Sequence, residues 1–257
     1  NGTDDCDDND PNEFPGQTWY IDADGDDYGG STIFSCLRPN NGYLLPELSG
    51  TGTDDCDDND PNEFPGQTWY IDADGDDYGG ASTTACTRPA NGFLLSELSG
   101  TGTDDCNDGN LNEFPGQTWY IDADGDFYGG SMVVACLRPV NGFLLASLNG
   151  TGTDDCNDGN PNEFPGQTWY MDADGDYYGG STVVACLRPV NGFLLSSLNG
   201  TGTDDCDDND PNEFPGQTWY IDADGDDYGS TSTTACLRPN NGFALSELSG
   251  NGTDDCD

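Results

Sequence analysis

Thr18-Trp19-Tyr20-Ile21-Asp22-Ala23-Asp24-Gly25-Asp26-Asp27-Tyr28-Gly29-Gly30 places alternating carboxylates between an aromatic pair and a Tyr-Gly-Gly. The same stretch returns at Trp69, Trp119, Trp169 and Trp219, fifty residues apart each time, with no insertion or deletion. A strict period of this size marks a tandem array of small units. Asp22, Asp24 and Asp26 stand at the first, third and fifth places of a tight loop, with the Tyr28 carbonyl at the seventh. A hard cation takes about six to eight oxygen ligands, and alternate residues of such a loop turn theirs inward. The loop is not an EF-hand: Asp27 stands where glycine would, Ile33 where the closing glutamate would, and no helix flanks it.

The five copies separate required acids from dispensable ones. Asp27 becomes Phe127 and Tyr177, and Glu47 becomes Ser147 and Ser197, so neither position holds a necessary ligand. The loop acids recur as Asp72, Asp74, Asp76 with Tyr78; Asp122, Asp124, Asp126 with Tyr128; Asp172, Asp174, Asp176 with Tyr178; and Asp222, Asp224, Asp226 with Tyr228. The remaining ligands are expected from Glu13 or from a second acidic cluster, Asp4 to Glu13. Two ligand phases compete there. The phase from Asp5 through Asp7 and Asn9 loses an oxygen at Gly109, whereas the phase from Asp8 through Asp10 and Asn12 keeps one at every place. The second phase is favoured, with Asp5 reaching in from outside. Its counterparts are Asp55, Asp58, Asp60, Asn62, Glu63; Asp105, Asp108, Asn110, Asn112, Glu113; Asp155, Asp158, Asn160, Asn162, Glu163; and Asp205, Asp208, Asp210, Asn212, Glu213. Asp57 and Asp207 add further carboxylates beside them. Copies three and four carry less charge, so weaker sites are expected there. Calcium is the expected cofactor: magnesium demands stricter octahedral geometry, and copper is disfavoured without histidine and with methionine only at Met132 and Met171.

Composition sets the conditions for folding. Fifty acids against five arginines give a net charge of −45, which keeps the chain expanded until counter-ions bind. Nucleic acid and anionic membranes are poor partners for it, and no apolar run is long enough to span a bilayer. The chain shows no signal peptide or initiator Met and reads as a mature product or a segment of something larger. Each copy offers few large apolar side chains, among them Phe14, Trp19, Ile21, Tyr28, Leu37, Tyr43, Leu44, Leu45 and Leu48, so staples are required. Eleven cysteines at two fixed places per copy supply them and point to an oxidising, extracellular setting. Cys6 can pair with Cys36, or Cys36 with Cys56; loop-closure entropy differs too little to choose.

Thr18 to Ile21 and Ser31 to Leu37 read as two short strands around the acidic loop, followed by turn chemistry at Arg38 to Gly42. The expected fold is a tandem-repeat array, calcium-stabilised and disulfide-stapled, with short β-hairpins, little regular secondary structure and no significant helix. Trp19 and Tyr28 are expected to pack the small core of each unit, and Arg38 to pair with carboxylates or lie over a ring. Asn1, Asn149, Asn199 and Asn251 begin Asn-Gly-Thr acceptor patterns for glycan.

Three segments carry a family resemblance: TWYIDADGDDYGG from Thr18, CLRPNNGY from Cys36 and DCDDNDPNEFPGQTWY from Asp55. They resemble secreted bacterial metal-binding repeats of the pattern WYxDxDGDGYG, CxxPxGY and DCDDxDPxxxPG, themselves similar to thrombospondin type 3 calcium repeats. The resemblance covers most of every copy. It places calcium ligands on Asp22, Asp24, Asp26, Asp55, Asp57, Asp58 and Asp60 and their equivalents. It also implies a frame of 18–67, 68–117, 118–167, 168–217 and 218–257, with 1–17 ending an upstream module. That frame favours Cys36 with Cys56. The sequence departs from the pattern at Asp27, Phe127 and Tyr177, where the family has glycine, and at Asn107-Asp108-Gly109 and Asn157-Asp158-Gly159.

These features imply an extracellular calcium-binding structural repeat, a rigid stalk or filament segment. The alternative is a calcium-dependent adhesin or glycan-binding module using exposed aromatics. Expected partners are calcium, neighbouring copies of the chain end to end or laterally, and surface glycans. An enzyme is not expected, since five near-identical acidic loops over so small a core do not suggest one catalytic cleft.

Overall fold

A computed structural model describes residues 5–256; the acceptor pattern at Asn1 and the acid Asp4 lie outside them. Every copy builds the same three-stranded antiparallel sheet, and no α-helix occurs among the described residues. In the first copy β1 (Thr18–Ile21) is central, flanked by β2 (Ser31–Phe34) and β3 (Gly42–Tyr43). Trp19 lies opposite Ile33 across one pair, and Tyr20 opposite Tyr43 across the other. The second strand is shorter than the sequence suggests, ending at Phe34. Beyond it the chain turns so that Ser35 returns its N–H to Gln17 and Cys36 leaves the sheet. A 3-10 turn, Leu45–Glu47, follows β3.

The chain divides into two units, Asn1–Thr118 with Val134–Pro139, and Trp119–Val133 with Val140–Asp257. Within each, the apolar core is smaller than the sequence list. Trp19, Trp69, Trp119, Trp169 and Trp219 are buried, each at most 2% exposed, whereas Phe14, Leu37 and Leu45 remain open to solvent. Burying one indole stabilises each copy by a few kcal/mol at about 25 cal/mol per Å². The indole N–H is satisfied as well: Trp19 Nε1 donates to the Ser35 carbonyl at 3.1 Å. Arg38 lies over the same indole, its guanidinium carbon 5.4 Å from the ring centroid.

Disulfides join Cys6 to Cys36, Cys56 to Cys86, Cys106 to Cys136, Cys156 to Cys186 and Cys206 to Cys236, leaving Cys256 free. This corrects the Cys36–Cys56 pairing implied by the resemblance. The reason is local. The acidic loop before each sheet is tied to the segment after β2, because Glu13 Oε1 accepts the Arg38 N–H at 2.8 Å. That contact recurs at Glu63–Arg88 and Glu213–Arg238, also at 2.8 Å, and it brings the Cα atoms of Cys6 and Cys36 to 5.7 Å.

Successive copies meet at a glycine contact. A Cβ on Gly29 would overlap the Gly52 carbonyl, and one on Gly52 would enter the Tyr20 ring. Asp55 N–H donates to the Gly29 carbonyl at 3.1 Å, and the Tyr28 ring stacks on Phe64 with centroids 5.3 Å apart. Position 27 keeps a left-handed backbone whatever its side chain: φ is 73° at Asp27, 71° at Phe127 and 72° at Tyr177.

Two measurements test these features. Peptide mapping without reduction should recover Cys56 linked to Cys86; recovery of Cys36 linked to Cys56 would refute the pairing. Phe127→Gly should raise thermal stability by up to ~1 kcal/mol, because a left-handed non-glycine residue costs about 1–2 kcal/mol and glycine entropy returns part of that.

Candidate metal centre

The acidic loop folds by side-chain to backbone bonds within itself. Asp22 is buried; its Oδ1 accepts the Gly25 N–H at 2.7 Å and its Oδ2 the Asp27 N–H at 3.2 Å. Asp24 Oδ1 accepts from Asp26 N–H at 3.3 Å, and Asp26 Oδ1 from Tyr28 N–H at 2.8 Å. These turns leave Asp24 Oδ2 and Asp26 Oδ2 buried and without a hydrogen-bond partner. Asp22, Asp24 and Asp26 each bring one oxygen within a group no wider than 4.8 Å, and the equivalent trios from Asp72, Asp122 and Asp172 do the same.

The next copy supplies the other wall. Asp58 Oδ1 accepts the Ala23 N–H at 2.8 Å, which fixes the downstream acidic loop over the upstream one. Ala73 with Asp108, Ala123 with Asp158 and Ala173 with Asp208 repeat that bond at 2.7, 2.7 and 2.8 Å. Asp55 adds two buried oxygens without a partner, and Asp105, Asp155 and Asp205 each add an Oδ2. One group assembled across the joint is Asp174, Asp205 and Asp208. In the first copy the corresponding Asp5 and Asp8 are exposed. In the fifth loop Asp224 and Asp226 are more exposed than their counterparts, though Asp255 N–H still reaches the Gly229 carbonyl at 3.1 Å.

Other candidate residues are placed elsewhere. Asp7, Asp57 and Asp207 close short turns on Asn9, Asn59 and Asn209. Asp10, Asp60 and Asp210 do so on Asn12, Asn62 and Asn212, and Asn110 and Asn160 on Asn112 and Asn162. Glu13, Glu63, Glu113, Glu163 and Glu213 give an oxygen to the Arg38, Arg88, Arg138, Arg188 and Arg238 N–H groups. Tyr28, Tyr78, Tyr128 and Tyr178 donate their N–H groups to Asp26, Asp76, Asp126 and Asp176, and their rings stack on the next copy's Phe64, Phe114, Phe164 and Phe214. Sequence reasoning overlooked Gly30: a Cβ there would strike the Asp58 Cβ, so glycine lets the second loop close. The signal was its repetition as Gly80, Gly130 and Gly180, broken only at Ser230.

Electrostatics of the assembled acids is unfavourable without a cation. Burial pushes Asp26 up to about 6, opposed by the Tyr28 N–H and reinforced by the charges of Asp24, Asp55 and Asp22. Burial likewise pushes Asp205 up to about 6 and raises Asp24, Asp55, Asp74, Asp76, Asp124, Asp126, Asp174 and Asp176. Two carboxylates about 5 Å apart at an effective dielectric of about 20 repel by roughly 3 kcal/mol. Unpartnered anionic oxygens from two loops, with no cationic side chain among them, fit a metal ion bound through oxygen.

The model of a family labelled copper-binding MopE and described as "Putative metal-binding motif" matches residues 5–25, 55–77, 105–119, 155–168 and 205–226. The five matches fall once per copy and take in Asp55 and Asp58 as well as Asp72, Asp74 and Asp76, so this is a repeated metal-binding motif. No curated protein and no solved structure matches the chain.

The raised carboxylates contribute stability that is present below their usual range and lost as pH rises through about 6, so the metal-free chain should lose stability across about pH 4 to 6, whereas lowered groups such as Glu47 and Glu97 act only in stronger acid. Metal binding requires the ionised acids, so the metal-loaded chain should show the opposite slope across the same window. Thermal melts of both forms between these limits check the sign; parallel slopes would refute it.

Proposed function

We propose that the chain is an extracellular calcium-binding repeat in which ions lock each copy onto the next, giving a stiff stalk or filament segment. The observation that carries this reading is the set of unpartnered oxygens contributed by two copies to one centre: Asp24 Oδ2 and Asp26 Oδ2 from one loop, both oxygens of Asp55 from the next. Asp22, Asp24, Asp26, Asp55 and Asp58 would hold the ion. It would supply the positive charge that the joint lacks. Ion binding then contributes folding free energy by linkage, and the joint stiffens as its carboxylates stop repelling.

The choice of calcium rests on the donors. All are carboxylate oxygens, the chain contains no histidine, and neither methionine belongs to the acidic loops. Such a set suits a hard, flexible cation better than copper. Five disulfides per chain suit an oxidising extracellular setting, and no helix is long and apolar enough to cross a membrane. The chain is read as structural rather than enzymatic, because the same acidic centre is repeated along it.

Calorimetric titration of metal-free chain should show saturable calcium binding at roughly 10⁻⁴ to 10⁻³ M, and also reads the ions per joint. Near-UV circular dichroism should rise as the Tyr–Phe stacks form, and the hydrodynamic radius should fall. Asp174→Asn should weaken its own joint by about tenfold and leave the others unchanged. Saturation by copper but not calcium would overturn the metal; calcium binding with an unchanged radius would overturn the stiffening role.

A further inference from the structure

Three copies pair an arginine with their own glutamate, and the third and fourth copies carry serine in its place. Arg38 pairs with Glu47 at 2.8 Å, Arg88 with Glu97 at 3.0 Å and Arg238 with Glu247 at 2.9 Å. Each glutamate also takes a backbone N–H at 2.7 Å, from Leu44, Leu94 and Ala244 respectively. A carboxylate in this place is therefore recognised at two points, by a guanidinium and by the amide that opens the 3-10 turn.

In the fourth copy Ser197 replaces that glutamate and Asn160 replaces the nearby aspartate, whose counterparts Asp60 and Asp210 feel the charges of Arg88 and Arg238. Arg188 remains. Its Nε donates to the Gly192 carbonyl at 2.6 Å and its guanidinium lies 4.8 Å from the Phe193 centroid, a pose that leaves the two terminal nitrogens without a carboxylate. The acid still nearby, Glu163, is engaged by Asn157 Nδ2 at 2.6 Å and by the Arg188 N–H at 3.0 Å. A pocket of about 160 Å³ opens here, lined by Asn160, Asn162, Trp169, Arg188, Leu194 and Ser197.

We propose that this pocket binds the carboxylate of an external ligand, seated where the glutamate of the other copies sits. The guanidinium fork and the Leu194 N–H provide the two points of recognition, and charge-assisted bonds of this kind are the strong ones. The volume is well below the ~300 Å³ at which sites for drug-sized ligands begin, so it admits the acidic head group and leaves the rest of the ligand outside. The chain's net charge of −45 does not forbid this. Field from distant acids is screened over about 8 Å at physiological ionic strength, and of the three acids whose charges the equivalent Arg238 feels, Glu247, Asp210 and Glu213, only the last has a counterpart here, Glu163. The third copy carries the same two replacements, Asn110 and Ser147.

Propionate reproduces the end of a glutamate side chain and is the probe for the calcium-loaded full chain. The Leu194 amide and Arg188 Nε–H resonances should shift saturably at about 1–10 mM propionate, and neither propionamide nor sodium chloride should reproduce the shift. Ser197→Glu should abolish the response by filling the pocket from within, while Asp60→Asn combined with Glu97→Ser should confer it on the Leu94 amide. Glucuronate and a peptide ending in glutamate, run alongside, distinguish a sugar-borne from a peptide-borne carboxylate; binding of either upholds the site and binding of neither sinks it. An unmoved Leu194 amide, an equal shift at Leu94 in the unaltered chain, or a full response in Ser197→Glu each overturns the proposal. Loss of calcium binding would show separately, at the acidic-loop amides.

Discussion

Carboxylate repulsion at the joint is the constraint to which the rest of the structure answers. Asp22, Asp24 and Asp26 face Asp55 and Asp58 with several oxygens buried and unpartnered, an arrangement that costs several kcal/mol in the absence of a cation. One indole per copy cannot offset that cost alone. The backbone holds the acids in place: Asx-type bonds shape the upstream loop, and the Asp58–Ala23 bond sets the downstream one.

Each acidic loop is gripped from two sides by different chemistry. Toward the following sheet it is tied by Cys56–Cys86 and by Glu63 on the Arg88 N–H. Toward the preceding sheet it is tied by Asp55, Asp58 and the Phe64 ring on Tyr28. A unit frame drawn at Thr18 makes the metal centre internal and the disulfide the link; a frame drawn at Asp5 reverses the two. Covalent ties and acidic contacts thus alternate along the chain.

Legibility in the sequence followed the range of the interaction. The trio Asp22, Asp24, Asp26 was readable because alternate spacing and a glycine act within one loop, and the first strand because aromatic and β-branched residues bias it locally. The disulfide partner was not readable, since loops of thirty and twenty residues cost nearly the same to close and the deciding Glu13–Arg38 contact spans the whole hairpin. The core list was too generous for a related reason. Phe14, Leu37 and Leu45 are apolar, but a sheet of three short strands has one face deep enough for a single indole.

Comparison among copies carries information that a single copy lacks. Position 27 holds Asp, Phe or Tyr at nearly the same positive φ, so the loop around Asp22 imposes the backbone and the side chain follows. The bond from that residue's N–H to the buried Asp22 carboxylate, 3.2 Å at Asp27 and 3.1 Å at Phe127, explains why the strain is tolerated. The same logic applies to positions 10 and 47, which change together in copies three and four. Read singly, each is the loss of a surface acid. Both acids sit in the field of one arginine, and removing them together converts a closed internal ion pair into an open cationic pocket in the fourth copy. The loop acids Asp22, Asp24 and Asp26 recur in all five copies, whereas the surroundings of the arginine differ from copy to copy.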